Sequence, residues 1–192
     1  MIQLLPNFEI RSTGSISDAF LSLGMFRFHQ AITFVAQLPY GRNTNRTEYH
    51  QVLNERKGTC STKHALLSAL CREQGVKEIK LFTGIYEMNE SNTSGIGQVL
   101  TSYGLSSIPE AHCYLKYQDK CFDFTRSNGS GEFIDSFVVE HEIAPHQIGD
   151  FKLAFHRSFL EEWLSDHKLN ETFDLDRLWV IREQCIEALS ER

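Results

Sequence analysis

The chain has 192 residues, of which 41% are hydrophobic and 23% are charged, as in an ordinary globular protein with enough residues for a real core. Acidic residues outnumber basic residues by 25 to 19, which gives a formal net charge of −6, and no basic stripe is present, so nucleic acid is not an expected partner. The five cysteines are an odd number without paired spacing, which argues against a disulfide framework and indicates a reducing compartment.

Helical spacing dominates the first third of the chain. Residues 1–10 are compatible with a short strand or an arm. A mostly helical apolar face then covers residues 15–38 and is weakened at Gly24, where a break or close packing is expected. After a polar loop, a brief helix is expected over residues 47–53, and a further helical pattern covers residues 60–75.

Strand patterns dominate the middle of the chain. Residues 79–86 predict one strand, and residues 111–117 and 120–125 predict a hairpin. The polar connection over residues 87–109 contains a possible helical turn, and a connection of that length is more often a functional loop or lid than a plain linker.

The C-terminal part again shows helical spacing. Residues 133–139 predict either a short strand or a helical turn, and residues 151–166 and 174–189 predict two helices. The first of these helices carries an aromatic row that is typical of a core stripe, formed by Phe155, Phe159 and Trp163. The order of helices, strands and helices predicts an α+β fold.

The apolar segments are too short to indicate a membrane or targeting segment. The N-terminus has neither a cationic region nor a long apolar run, so no signal peptide is indicated. The most apolar stretch, residues 31–38, is interrupted by Thr33 and Gln37, whereas a bilayer span needs about 20 apolar residues. We therefore expect a soluble, cytoplasmic protein without a membrane partner.

Cys60 is the first candidate functional residue. A Gly-Thr-Cys corner leads into the helical pattern, so Cys60 is expected at or near a helix N-terminus. There the unpaired backbone N–H groups and the positive end of the helix dipole favour a thiolate over a thiol. A single cysteine is more often a small buried hydrophobe, so the nucleophile interpretation depends on partners elsewhere in the chain.

His112 and Asp123 are the candidate partners of Cys60. A hairpin that turns at Gln118-Asp119 places Asp123 near Tyr114 and makes His112 and Asp123 diagonal neighbours, for which we expect a bulge or a longer turn to bring them to one face. An Asp that binds one imidazole nitrogen would leave the other nitrogen to take a thiol proton. Each residue alone has a structural explanation, as a turn cap or an interior histidine. The ordered set of cysteine, histidine and acid indicates catalysis.

These residues also carry a family resemblance. The segment Arg56-Lys57-Gly58-Thr59-Cys60 and the residues after it resemble the G-x-C helix start of transglutaminase-like proteins. Ala111-His112-Cys113-Tyr114 is similar to that family's H-A-W strand start, and Phe122-Asp123-Phe124-Thr125 to its D-P-T strand. The sequence departs from the pattern where Cys113-Tyr114 replaces Ala-Trp and Phe124 replaces proline.

The resemblance implies a papain-like α+β fold, in which the helix of Cys60 packs on an antiparallel sheet that bears His112 and Asp123. It covers a core of about residues 51–125 within one domain of residues 1–192, whose helical C-terminal part is expected at about 151–190. It also implies an acyl-thioester mechanism. The same fold is shared by peptidases, amidases, transamidases and inactive members, so the fold alone does not select among them.

The oxyanion and substrate contacts are less defined by the sequence. The backbone N–H of Cys60 is an expected oxyanion donor. A second donor or a substrate contact is expected from a set of four side chains, namely Asn43, Gln51, His64 and Tyr114, with Asn45 a further possible donor. Among these, His64 lies one turn after Cys60 and is expected to act behind the catalytic residues or in a substrate pocket.

A metal site is the chemical alternative. Cys60 and His64 are four residues apart, and His112, Cys113 and Cys121 are further possible ligands. No C-x-x-C pair is present, and structural zinc sites usually have tightly paired ligands, so we expect neither a metal nor a cofactor.

The sequence therefore predicts a cysteine-dependent enzyme that acts on an amide or acyl bond of a peptide, a protein or a small molecule. The predicted catalytic residues are Cys60 as nucleophile, His112 as base and Asp123 as its orienting acid. The alternative, from another class, is a catalytically inactive binding domain that keeps the fold and its cleft. The sequence does not specify the substrate, the oligomeric state, or hydrolysis versus transamidation.

Overall fold

The computed structural model describes residues 2–126 and 136–190, and their architecture is α+β, as the sequence predicts. The strands β1 (Lys80–Met88), β2 (Ile108–Tyr117), β3 (Lys120–Phe122) and β4 (Val139–Ile143) form an antiparallel sheet in the order β3-β2-β1-β4. The helices are α1 (Ser15–Ser22), α2 (Phe28–Gln37), α3 (Gln51–Glu55), α4 (Cys60–Glu73), α5 (Gly97–Ser102), α6 (Asp150–Asp166) and α7 (Leu175–Ser190). Short 3₁₀ helices lie at Ile2–Leu4 and Pro145–Ile148.

The N-terminal helical pattern is split at Gly24, as its sequence indicates. Gly24 has a φ of 77°, in the left-handed region that glycine adopts without steric cost. The N–H of Met25 then donates to the carbonyl of Phe20 at 3.0 Å, which closes α1 in the manner of a Schellman motif. Where the sequence predicted a strand or arm over residues 1–10, the described residues 2–10 contain the 3₁₀ helix at Ile2–Leu4 and an isolated bridge from Glu9 to Arg27.

The β2–β3 hairpin has the predicted register. Leu115 pairs with Phe122 and Tyr117 with Lys120, around a turn in which both Gln118 and Asp119 have positive φ. Two positive φ values characterise the turn whose twist matches a two-residue hairpin. The paired residues follow one another without the bulge that we expected. None is needed, because opposed residues of an antiparallel pair, and their diagonal neighbours, point to the same face.

β3 ends three residues before the predicted end of the strand. The N–H of Phe124 donates to Nε2 of His64 at 2.8 Å, and the N–H of Thr125 donates to Oδ1 of Asp123 at 2.8 Å. Side chains thus take the backbone donors that a longer ladder would use, and local bonds of this kind compete with strand pairing.

The described chain divides into two compact units that interleave along the sequence. The first comprises residues 2–83, 113–126 and 141–149. Its central element is α4, in which every residue from Cys60 to Cys71 is buried. Leu66, Leu67 and Leu70 of α4 share a core with α1, α2 and the β2–β3 hairpin.

The second unit comprises residues 84–112, 136–140 and 150–190. Its core joins β1, α5, α6 and α7, and Trp163 of the predicted aromatic row is buried in it. The polar connection over residues 87–109 contributes Ile96, Leu100 and Ile108 to the same core. The carboxylate of Glu90 accepts the backbone N–H groups of Gly95 and Gly97, so this segment is packed and hydrogen bonded.

A buried ion pair fastens the start of β2 to α7 in the second unit. Nη2 and Nε of Arg182 donate to the two carboxylate oxygens of Glu110 at 2.5 and 2.6 Å, and Arg182 also lies over the ring of Trp179. Burial is the largest single effect and acts to raise the pKa of Glu110, but the charge and hydrogen bonds of Arg182, together with the charges of His156 and Lys152, outweigh it and lower this pKa to about 2. Beside the pair, Nε2 of His156 donates to the carbonyl of Pro109 at 2.8 Å.

Candidate functional site

Cys60 is the first residue of α4, where the sequence predicts it. Thr59 precedes it with extended backbone and caps the helix, and its N–H donates to Oγ1 of Thr62 at 3.0 Å. Gly58 is required by close packing, because an added Cβ would lie 2.9 Å from Cγ2 of Val52. Cys60 therefore lies at the positive end of a long helix, and 8% of its surface is exposed.

The first turn of α4 is polar although it is buried. Oγ1 of Thr62 donates to Oδ1 of Asn43 at 2.8 Å, and Nδ2 of Asn43 donates to the carbonyl of Lys57 at 3.0 Å. Buried polar groups are tolerated when they are hydrogen bonded, and these bonds join the loop before α3 to the start of α4.

His64 connects Cys60 to the segment that carries Asp123. Its Nε2 accepts the N–H of Phe124 at 2.8 Å, so this nitrogen carries no proton. Its Nδ1 therefore holds the proton and donates to the carbonyl of Cys60 at 2.8 Å. The ring is neutral in this arrangement and completely buried, and it holds two backbone segments together.

We expect His64→Leu to lower the free energy of unfolding by about 1–3 kcal/mol, because the Phe124 N–H would be buried without its acceptor. Urea unfolding of the variant measures this change. The matched control is His29→Leu, which removes a bond from a half-buried ring to the carbonyl of Leu5 and should cost less. Equal losses in the two variants would contradict the role that we assign to His64.

Asp123 is held in an Asx turn directly after β3. Its Oδ1 accepts from the N–H of Thr125 at 2.8 Å and from Oγ1 of the same residue at 2.5 Å. Nε2 of His64 lies 3.5 Å from this oxygen, and the contact is not an ion pair because His64 is neutral. The Asp123 side chain is one-third exposed, so the carboxylate is both fixed and accessible.

Lys63 is completely buried between two backbone segments. Its ammonium donates to the carbonyl of Leu38 at 2.5 Å and to the carbonyl of Thr125 at 2.7 Å. Burial lowers the pKa of Lys63 to about 8, Arg126 acts in the same direction, and the negative charges of Asp123 and Cys60 oppose them.

His112 belongs to the second unit, whereas Cys60 and Asp123 belong to the first. It lies on β2 and is half-buried, with its ring edge-on to Tyr86 at a centroid distance of 6.3 Å. Tyr86 makes a similar contact with Phe137, whose ring lies over Gly84 and would be 2.5 Å from an added Cβ there. The predicted base thus lies against Tyr86, at the edge of a small aromatic cluster.

The four side chains expected to contact substrate or oxyanion have different positions. Asn43 and His64 are buried and bonded within the first unit, as described above. Tyr114 is also buried, with 1% exposed, and stacks on Phe82. Gln51 is half-buried at the start of α3 and accepts from Nδ2 of Asn54 at 3.5 Å. Of the four, Gln51 retains the most surface for a substrate.

The anchoring roles of Thr62 and Lys63 were missing from the sequence predictions. A signal for Lys63 was present: it precedes the buried Leu66 and Leu67 by three and four residues, which places it on their helix face. A lysine on a buried face requires a specific acceptor. The identity of that acceptor, the carbonyl of Thr125, depends on tertiary structure and cannot be read from spacing.

No protein-family model, no curated protein sequence and no solved structure gives a significant match to the chain. Over residues 2–126 and 136–190, no three His, Cys, Asp or Glu side chains are arranged to hold a metal ion. Within the same ranges, no helix is long and apolar enough to cross a membrane. All five cysteines lie within these ranges, and none of them forms a disulfide bond.

Proposed function

We propose that the protein is a transglutaminase-like cysteine enzyme that cleaves or transfers an amide or related acyl group. The observation that supports it most is the connection of Cys60, at a capped helix start, through His64 to the segment bearing Asp123. A nucleophile at the positive end of a helix and an acid near it are two of the three groups that such chemistry needs. In this proposal His112 is the third.

The proposed reaction uses a thioester intermediate. His112 takes the proton of Cys60, and the Cys60 sulfur attacks the substrate carbonyl, whose developing negative charge the Cys60 backbone N–H stabilises. The C–N bond then breaks, and the leaving amine takes the proton from His112 while Asp123 orients the ring. Water or a second amine, deprotonated by His112, attacks the thioester and releases Cys60 as a thiol. Peptides, proteins and small amides are the proposed substrates.

The rates of alkylation of the cysteines test the activation of Cys60. We expect iodoacetamide at pH 7 to label Cys60 about tenfold faster than Cys121, because an activated thiolate reacts and a thiol does not. Cys121 is the matched control, since it is half-exposed and Cys60 is 8% exposed, so accessibility alone predicts the opposite order. Peptide mass spectrometry measures both rates. Equal rates, or faster labelling of Cys121, would refute the proposal.

A second candidate is a binding domain without catalytic activity. The low exposure of Cys60 favours this candidate. Phe124 also favours it, because this residue replaces the proline of the family pattern and is buried in the core of the first unit. Turnover of a panel of peptide anilides, with Cys60→Ala as the blank, separates the two candidates. Release of the aniline by the native protein, but not by Cys60→Ala, would exclude the inactive binding domain.

A further inference from the structure

The environment of Lys63 links it to Asp123 through one intermediate residue. The Lys63 ammonium donates to the carbonyl of Thr125, and the N–H and hydroxyl of Thr125 both donate to Oδ1 of Asp123. Thr125 is thus bound by Lys63 at its carbonyl and by Asp123 at its N–H and hydroxyl. A change at Lys63 would therefore be transmitted to the Asp123 carboxylate.

The Lys63 ammonium also binds a second backbone segment, at Leu38. The same ammonium donates to the carbonyl of Leu38, directly after α2, so Lys63 holds the Asp123 turn against a fixed part of the core. A carbonyl bond to a charged donor is stronger than one to a neutral donor. A buried ammonium at this place therefore restricts the Asp123 turn more than a neutral side chain would.

Electrostatics favours the same pairing. Asp123 stabilises the charged form of Lys63, and burial and Arg126 oppose it. Interactions between charges are reciprocal, so Lys63 also stabilises the ionised Asp123 carboxylate.

We propose that Lys63 is a positioning residue that fixes the Asp123 carboxylate, through Thr125, in the orientation that the proposed cysteine chemistry requires. The proposal rests on the proposed function, because it gives Asp123 a catalytic role. Lys63 itself contacts neither substrate nor the reacting atoms. The charges of Lys63 and Cys60 also attract each other directly, and the experiment that follows separates this direct attraction from the route through Asp123.

A double-mutant cycle on the rate of Cys60 alkylation tests this role. Lys63→Met and Asp123→Asn should each lower the rate about tenfold. A tenfold lower rate corresponds to a rise of about one unit in the pH at which half of Cys60 is in its reactive, ionised form. If Lys63 acts only through Asp123, the double variant should also be slowed about tenfold rather than a hundredfold, since coupled residues are not additive. Lys63→Arg, which keeps the charge and the donors, should recover part of the rate.

The control is Thr62→Val, which removes the bonds of the Thr62 hydroxyl to Asn43 and to the Thr59 N–H in the same turn of α4 but none to Thr125. Its effect on the rate should add to that of Asp123→Asn. Additive rates for Lys63→Met and Asp123→Asn would overturn the positioning role and indicate a direct effect of the ammonium on Cys60. An unreactive native Cys60 would instead refute the proposed function, so the two failures are distinguishable.

Discussion

Replacement of Arg182 by methionine is expected to lower the free energy of unfolding by about 3–5 kcal/mol, the range measured when one partner of a buried ion pair is removed. The side chains of Glu110 and Arg182 are only 7% and 11% exposed, so the carboxylate would remain buried without its partner. Urea unfolding, followed by tryptophan fluorescence and circular dichroism, measures the loss.

Arg157→Met is the matched control for this prediction. Arg157 also lies over Trp179, at 5.5 Å compared with 5.2 Å for Arg182, and it also pairs with a carboxylate, that of Asp176. The difference is exposure, because Asp176 is 87% exposed, and an exposed pair contributes about 0–1 kcal/mol. Similar losses in the two variants would show that stacking on Trp179, rather than the buried charge, explains the effect.

The buried group formed by Glu110, Arg182 and His156 should also cause a loss of stability in mild acid. Burial lowers the pKa of His156 to about 4, so between its ordinary pKa of 6.5 and 4 the unfolded chain takes up a proton that the folded protein does not. Stability therefore falls as the pH decreases through this window and is independent of His156 above it. A shift of this size corresponds to about 3 kcal/mol.

His156→Gln isolates this contribution, because glutamine keeps a donor for the carbonyl of Pro109 and does not titrate. We expect the variant to have a shallower dependence of unfolding free energy on pH between 6.5 and 4 than the native protein. Below 4.5 both proteins should lose stability together, since protonation of Glu110 then favours the unfolded chain. Parallel curves above pH 4.5 would contradict the assignment to His156.

Local signals made part of the site predictable. The start of α4 followed from the Gly-Thr-Cys corner that leads into its helical pattern, and its end followed from Gly75, which has a φ of 72°. The hairpin register followed from the Gln118-Asp119 turn, because a two-residue turn determines which residues pair. Each signal lies within a few residues of the feature that it specifies.

The features that escaped prediction depend on partners far along the chain. His64 and Phe124 are 60 residues apart, and Arg182 and Glu110 are 72 residues apart, yet their bonds decide where β3 ends and how β2 begins. Likewise, the composition of residues 87–109 indicated a functional loop or lid, whereas several of its apolar side chains lie in a core. Spacing identifies an element and its apolar face, but it does not identify the distant group that completes a buried polar bond.

The interleaving of the two units has a consequence for synthesis and cleavage of the chain. Residues 2–83 contain α4, but Cys113, Leu115 and Phe122 fill the core around it. Residues 84–112 belong to the second unit, which is incomplete until residues 150–190 have been synthesised. Neither unit can therefore be completed on the ribosome before most of the chain has emerged, and contacts of such long range slow folding. No single proteolytic cut releases one unit whole, so a fragment that ends after α4 should be recovered unfolded.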